Sequence, residues 1–456
     1  MFAHHPRNIF IHKNRRGSLS FLAGIFVVGG LFFYSHLAKA VPSYARQTEQ
    51  SCVACHAGGQ FPELTPYGRM FKLTGYTMGQ QTNPIAMMMQ ADYAKMRNNS
   101  LADGGPITKD GLATINQVSL FLAGKVTNNV GLFSQFTYGP YAGTDANGNP
   151  NSKGLVNSDL FDLRYADSSS MSNNDLIWGL TVHNWIGVQD VWNSSGGPWS
   201  YPYVSRVFAV PDVLGTFIEG GQGSALAGTG VYTYLNKNLY LELTGYQTAK
   251  NAFSIMSMGY HANDSQGNNL LQYVNGVAPY ARMAYTKEWG PHNVMLGVSY
   301  LDIKVYPFDG DYSGVSGATN TTTLFNVGTV HYKDRAIDGQ YQYLLSPHTI
   351  TAQFRLAHET SQDATGSSLP NLNTRRFKLG YIYQAKYGAS FAYASSSLSD
   401  GTSDITKWTP EVFYMPSQNI RVGLQYNHFT KYSSPTFVGS SASNNDYSYM
   451  YIWLAY

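Results

Sequence analysis

Cysteine is almost absent from this sequence. Its 456 residues hold two, Cys52 and Cys55, so nothing is left over for a second disulfide or a second thiolate metal site. Charge is scarce as well: Asp, Glu, Lys and Arg make up 12% of the chain, against about 25% in ordinary soluble domains. Beyond residue 34 no apolar run reaches the roughly 20 residues that a spanning helix needs. A bundle of membrane helices is therefore excluded. A soluble β-sandwich with half-polar strands competes, but it accounts poorly for so little charge. What is plentiful is glycine and tyrosine, 45 and 35 residues.

The two cysteines stand together in Cys52-Val53-Ala54-Cys55-His56. C-x-x-C-H is the attachment signature of a c-type haem: two thiols add to the haem vinyl groups and the histidine is placed to ligate iron. A vicinal disulfide, a thioredoxin-like pair and half of a zinc site are the alternatives. Zinc would want two more ligands nearby, and the next histidine is His183. A thioredoxin motif would accompany a βαβ pattern, and none is visible. One haem c, on Cys52 and Cys55 with His56 as proximal ligand, is the reading that fits.

Residues 1–40 read as a cleaved secretory signal peptide. Arg7, Lys13, Arg15 and Arg16 precede an apolar run from Leu19 to Tyr34, and Ala38-Lys39-Ala40 has the small-residue cleavage pattern. This segment holds five of the basic residues and no acid, so residues 41–456 carry 25 Lys and Arg against 27 Asp and Glu. The basic isoelectric point belongs to the presequence, and no nucleic-acid partner follows from it.

Residues 41–83 form the haem segment. Thr65 reads as a helix N-cap with Pro66 at the first helical position. Tyr67, Met70, Phe71 and Thr74 then share one face, and Gly75 is the stop. Some forty residues cannot shelter a haem alone, so its walls must come from the rest of the chain.

Residues 84–456 read as an all-β, transmembrane antiparallel β-barrel of about 16 strands, with the haem segment plugging its lumen. Stretches of ten to thirteen residues alternate with period two between turn residues. Ile350, Ala352, Phe354 and Leu356 fall on one face; Thr351, Gln353, Arg355 and Glu359 fall on the other. The same alternation runs through 377–384 and 420–427. The last strand, Tyr447–Tyr456, ends on an aromatic and is similar to the sorting signal of bacterial outer-membrane barrels. Asn236-Lys237-Asn238, Ser346-Pro347-His348, Ala385-Lys386-Tyr387 and Pro416-Ser417-Gln418 are expected as short periplasmic turns. The long external loops are expected at about 140–157, 187–226, 249–278, 305–325, 361–371 and 431–446. Splitting 322–346 into two strands gives seventeen and breaks the alternation of loops and turns; one strand over 329–345 gives sixteen. The stretch Gly187–Gly223, with Trp192, Pro198, Trp199, Pro202 and Pro211, is too long for a simple loop, and part of it is expected inside the lumen.

Lumen parity collects Arg164, Arg355, Arg376, Lys378 and Arg421. They read either as the lining of an anion-selective, phosphate-type pore or as partners for haem propionates, with Arg355, Arg376 and Arg421 named for that role. The sixth iron ligand stays open among Met70, a lumen histidine such as His183, and a vacant or water-bound position; Met78 and the run Met87, Met88, Met89 are also near. Methionine ligation raises a haem potential, which suits a weak reductant such as ferrous iron. No iron site can be named, because the acidic loop residues, for example Asp309, Asp311 and Glu359, show no ligand spacing above chance.

Val41-Pro42-Ser43-Tyr44-Ala45-Arg46-Gln47-Thr48, the C-x-x-C-H run, and Phe61-Pro62-Glu63-Leu64-Thr65-Pro66-Tyr67-Gly68-Arg69-Met70-Phe71-Lys72-Leu73 through Gly75-Tyr76-Thr77 resemble the fused monohaem cytochrome–porins of iron-oxidising bacteria. The likeness is dense over 41–77 and looser in the barrel, where Asp338-Gly339-Gln340-Tyr341-Gln342-Tyr343 carries it. The resemblance implies an outer-membrane iron oxidase: extracellular Fe(II) donates one electron to the haem, which passes it to a periplasmic carrier, a cytochrome or a copper protein. It assigns Cys52 and Cys55 as anchors and His56 as proximal ligand. A haem-plugged anion-selective porin and a conduit for a donor other than iron are the rival functions.

Overall fold

A chain with period-two apolar stretches can satisfy its backbone in lipid only by closing its sheet, and this one does. The computed structural model describes residues 43–59, 62–97, 111–139, 155–171, 174–195, 202, 204, 212–219, 226–256, 273–306, 328–433 and 441–456. The signal-peptide reading of 1–40 lies outside these residues, as do Asp309 and Asp311. The strands run β1 (Ile85–Met96), β2 (Leu112–Lys125), β3 (Val130–Gly139), β4 (Leu155–Met171), β5 (Asn174–His183), β6 (Leu226–Leu235), β7 (Leu239–Thr248), β8 (Ala278–Trp289), β9 (His292–Val305), β10 (Val330–Leu345), β11 (His348–Gln362), β12 (Leu372–Tyr383), β13 (Tyr387–Leu398), β14 (Asp404–Ser417), β15 (Ile420–Ser433) and β16 (Tyr447–Ala455). Each pairs antiparallel with its neighbours in sequence. β1 closes on β16, from Met88 opposite Ala455 to Met96 opposite Tyr447.

The side-chain period sorts the two faces as expected. Leu243, Leu379 and Leu296 point outward and are 64, 57 and 54% exposed, while Glu242 and Thr244, on either side of Leu243, are buried in the lumen. In β11 the residues Thr351, Gln353, Arg355 and Glu359 face inward. β10 is one unbroken strand, so the count is sixteen. The connections at 126–129, 236–238, 290–291, 346–347, 384–386 and 418–419 are short and share one end of the barrel with the start of β1 and the end of β16. The long connections share the other.

The N-terminal segment lies within the barrel's short-turn end. It consists of α1 (Ser43–Thr48), α2 (Cys52–Cys55) and α3 (Pro66–Leu73). Thr65 caps α3, its hydroxyl accepting from Gly68 N at 3.1 Å, and Gly75 takes the left-handed conformation after the helix. The buried face of α3 differs from the expected one. Tyr67, Met70 and Thr74 are partly open, whereas Gly68, Arg69, Phe71, Lys72 and Leu73 are buried. An amphipathic pattern assumes water on one side; inside a polar lumen the basic side chains find partners and are buried too.

Part of the β5–β6 connection folds inward, as its length implied. α4 (Ile186–Gln189) and residues 190–195 are buried, and a 3-10 turn, Phe217–Glu219, packs against β10 and β11. Pro198, Trp199 and Pro211 lie outside the described residues.

Leu243 sits mid-strand on the lipid face. Leu243→Arg is expected to destabilise the folded barrel by about 2–4 kcal/mol, measured by denaturant unfolding in lipid vesicles.

Candidate functional site

The C-x-x-C-H run is held in place by its own segment. Thr65 N donates to Cys55 O at 2.9 Å and Ala57 N to Glu63 O at 2.8 Å, which folds α3 back over α2. His56 pairs with Leu64 as an isolated antiparallel bridge. The approach is so close that a Cβ on Gly68 would lie 2.2 Å from Cys55 O; only glycine fits there. On the wall side, Cys52 N donates to Gln418 Oε1, in the β14–β15 turn, at 3.1 Å.

Cys52 and Cys55 are free thiols. Burial raises both, and the neighbouring Cys52 adds to the burial effect to push Cys55 up to about 11. Burial also lowers His56 to about 4, against the opposing pull of Glu63. The imidazole is therefore neutral at physiological pH, the form that binds a metal.

Both thiols and His56 line one cavity of about 260 Å³. Tyr44, Phe71, Lys72 and Tyr76 come from the same segment. Phe121, Phe133 and Trp453 come from the barrel wall; Trp185, Val188 and Asn193 come from the inward loop. Its walls are largely apolar, with Tyr44 stacked on Tyr76 at 5.4 Å between ring centroids. Two thiols, a neutral imidazole and an apolar chamber built from three parts of the chain fit a covalent haem. The barrel and the inward loop supply cavity walls that the short segment lacks.

The other expected site residues are elsewhere. Met70 packs against the cluster of Trp192, Tyr240 and Met295 and does not line the cavity; Met87 and Met88 do. His183 is engaged with Tyr246 Oη at 2.7 Å and Thr181 Oγ1 at 3.1 Å. Of the three arginines named for propionates, none lines the cavity, and each faces a carboxylate. Arg421 donates to Glu411 at 2.7 Å and lies over the Phe413 ring; Arg376 donates to Glu219 at 2.9 Å. Arg355 donates to Ser195 Oγ at 2.9 Å and lies 3.7 Å from Asp338. Lys378 pairs with Glu63 at 3.2 Å. Glu359 is not a loop residue but faces the lumen from β11.

Sequence reasoning passed over Lys72 and Asp190. Lys72 Nζ donates to Asp190 O at 2.7 Å and approaches Asn193 Oδ1 at 3.4 Å, while Asn193 Nδ2 donates to Pro62 O at 2.7 Å. The segment and the inward loop are thus bonded in both directions. The loop is bonded to the wall in turn: Arg164 Nη2 donates to Gln189 O and Oε1 at 2.8 and 2.7 Å, and the Asp190 carboxylate lies 3.6 Å from Arg282. Arg282 forks onto Asp338 with bonds of 2.8 and 2.7 Å.

Burial and the nearby Arg164 lower Lys72 to about 7, opposed by Asp162, Asp190 and Glu242. Between about pH 7 and the ordinary lysine value of 10.5 the unfolded chain binds the extra proton, so stability rises with pH across that window. Comparison of unfolding midpoints at the two ends is expected to show this rise in the wild type and a flatter profile in Lys72→Met.

No family model matches the chain, and no curated protein does. Solved structures similar in architecture include OmpF of Salmonella typhi, solved with daunomycin, at 13% identity over 82% of this chain and 97% of that one, TM-score 0.45. The outer membrane channel DcaP of Acinetobacter baumannii matches at 13% identity over 82% and 96%, TM-score 0.45. An anion-selective porin from Comamonas acidovorans matches at 10% identity over 82% and 98%, TM-score 0.44. The chain is a closed antiparallel barrel of sixteen strands with an N-terminal helical segment inside it.

Proposed function

We propose that this protein is a c-type cytochrome–porin of a bacterial outer membrane, carrying one electron from an extracellular donor, Fe(II), to a periplasmic cytochrome or copper protein. The observation that carries the reading is the shared cavity: Cys52, Cys55 and His56 open into a single chamber whose other walls are the barrel and its inward loop. A haem, when bound, supplies a one-electron iron couple there. The chain's residues do the rest. Cys52 and Cys55 would hold such a group covalently through their thiols, and neutral His56 would offer a lone pair to its iron. Phe71, Tyr76, Phe121 and Phe133 keep water from the chamber. The cavity lies at the short-turn end, the periplasmic side in barrels of this type, where Ser51 and Val53 beside the thiols are exposed. That is the end a periplasmic acceptor meets.

A pore selective for anions would need unmatched cations along its lumen. Among the described residues, Arg164, Arg282, Arg376 and Arg421 each pair with a carboxylate within 3 Å. This favours electron over solute transfer.

Cys52→Ala/Cys55→Ala is expected to abolish haem staining on a denaturing gel. Met70→Leu is expected to leave the haem absorption spectrum unchanged, since its side chain lies outside the cavity. Stopped-flow mixing of the oxidised protein with Fe(II) is expected to reduce the haem; no reduction on a catalytic timescale would sink the iron reading. Planar-bilayer conductance far below that of an open porin is expected as well.

A further inference from the structure

Four cations on the outer face of the barrel lack the partners that those of the lumen have. Inside, Arg164, Arg282, Arg376 and Arg421 each have a carboxylate within 3 Å. Outside, Lys304 of β9, Lys333 and Arg335 of β10 and Arg375 of β12 are all exposed, and none of the four has an ion pair among the described residues. Period two decides their face. Asp334 and Ala336 on β10 and Thr374 on β12 are buried toward the lumen, so Lys333, Arg335 and Arg375 point outward. On β9, buried Ile303 and Val305 flank Lys304 in the same way.

The ladder gathers the four into one patch. Arg335 stands directly opposite His358 on β11, and Arg375 stands opposite Leu356, the next outward position along that strand. Lys333 and Lys304 follow toward the long-loop mouth, opposite Asp302 and His331. Asp302 is the acid on this stretch of outer face, and it is bonded to His331 at 2.6 Å and to Tyr300 at 3.3 Å. Neighbouring strands lie about 4.8 Å apart, so the patch is about 15 Å wide. Toward the short-turn end the same face turns apolar, with Ile337, Leu356, Phe377 and Leu379 exposed, and it ends on the aromatics Tyr381 and Tyr383, with Tyr343 beside them. From Tyr343 to Arg335 the strand rises about 26 Å, and a tilt of about 40° makes that roughly 20 Å along the barrel axis. An apolar band about 25 Å tall therefore ends among these four side chains. An unmatched cation is costly at the centre of that band and tolerated at its edge. The edge at the long-loop end is where the headgroups of the outer leaflet lie.

We infer that Lys304, Lys333, Arg335 and Arg375 bind the phosphates of an anionic lipid of the outer leaflet. Arginine meets phosphate through paired, charge-assisted bonds, and each basic residue at a membrane surface adds to the attraction. The inference rests on the outer-membrane reading above and is independent of the haem. Its probe is lipid A, a diphosphorylated glycolipid, added to the purified full-length protein in detergent and followed by native mass spectrometry. The wild type is expected to retain lipid A in preference to phosphatidylcholine, and excess inorganic phosphate is expected not to displace it. Arg335→Gln/Arg375→Gln is expected to weaken retention about twentyfold, at about fivefold for each charge. Lys95→Gln, exposed on the outer face of β1, is expected to retain lipid A as the wild type does. Heat-modifiable gel migration checks that both variants fold. Equal retention of the two lipids, displacement by inorganic phosphate, or retention unchanged in the double variant would overturn the proposal. So would an equal loss in Lys95→Gln, because the attraction would then belong to overall charge and not to this patch. Failure of the wild type to insert into lipid vesicles would remove the outer-membrane reading and this site with it; insertion without retention of lipid A would remove the site alone.

Discussion

Asp190 is the carboxylate on which the interior is assembled. Its Oδ2 accepts Ser194 N at 2.6 Å and Ser195 N at 2.8 Å, and its Oδ1 accepts Trp192 N at 3.0 Å. Its side chain faces Arg282 of the wall, and its backbone oxygen takes the ammonium of Lys72. A buried carboxylate lacking such partners would be costly. With them it winds the inward loop into a turn and holds two other parts of the chain to it. The cavity beside His56 has Val188 and Asn193 in its wall because this turn puts them there.

The same constraint shapes the rest of the lumen. Closure leaves no lipid-facing edge, so polar residues are concentrated inside, and a filled lumen must satisfy them without bulk water. Arg164 shows how closely this is met. It is fully buried, donates to Asp162 at 2.7 Å, bonds Gln189, and lies 5.6 and 5.4 Å from the rings of Tyr76 and Tyr232. A small share of charged residues is enough, because the buried lumen arginines are paired with carboxylates, as Arg164 is with Asp162 and Arg421 with Glu411.

Much of this was legible in the sequence for physical reasons. Period two is a local property, so Ile350 to Leu356 announces its two faces without knowledge of any partner. Chain parity decides between sixteen and seventeen strands because both ends must return to the same side. The inward course of residues 187–195 and 217–219 follows from the length of the connection that holds them. The position of Met70 was not legible in the same way. Helical spacing tells which residues share a face, but not which face a polar lumen will bury, and here Lys72 rather than Met70 reaches the cavity. Nor could spacing reveal that Arg376 would spend its charge on Glu219 or Arg421 on Glu411, since such pairs depend on strand order and loop path.

The segment that carries Cys52 and Cys55 joins β1 through the few residues after Gln80. Five extended residues span about 17 Å, so the tether confines the segment to the neighbourhood of the barrel mouth. Its local concentration there stays in the millimolar range that short linkers impose. Individual contacts such as Cys52 N to Gln418 need not be strong on their own, because the segment is always close enough to rebind. A separate chain visiting the same barrel would need a far larger interface to be found there as often.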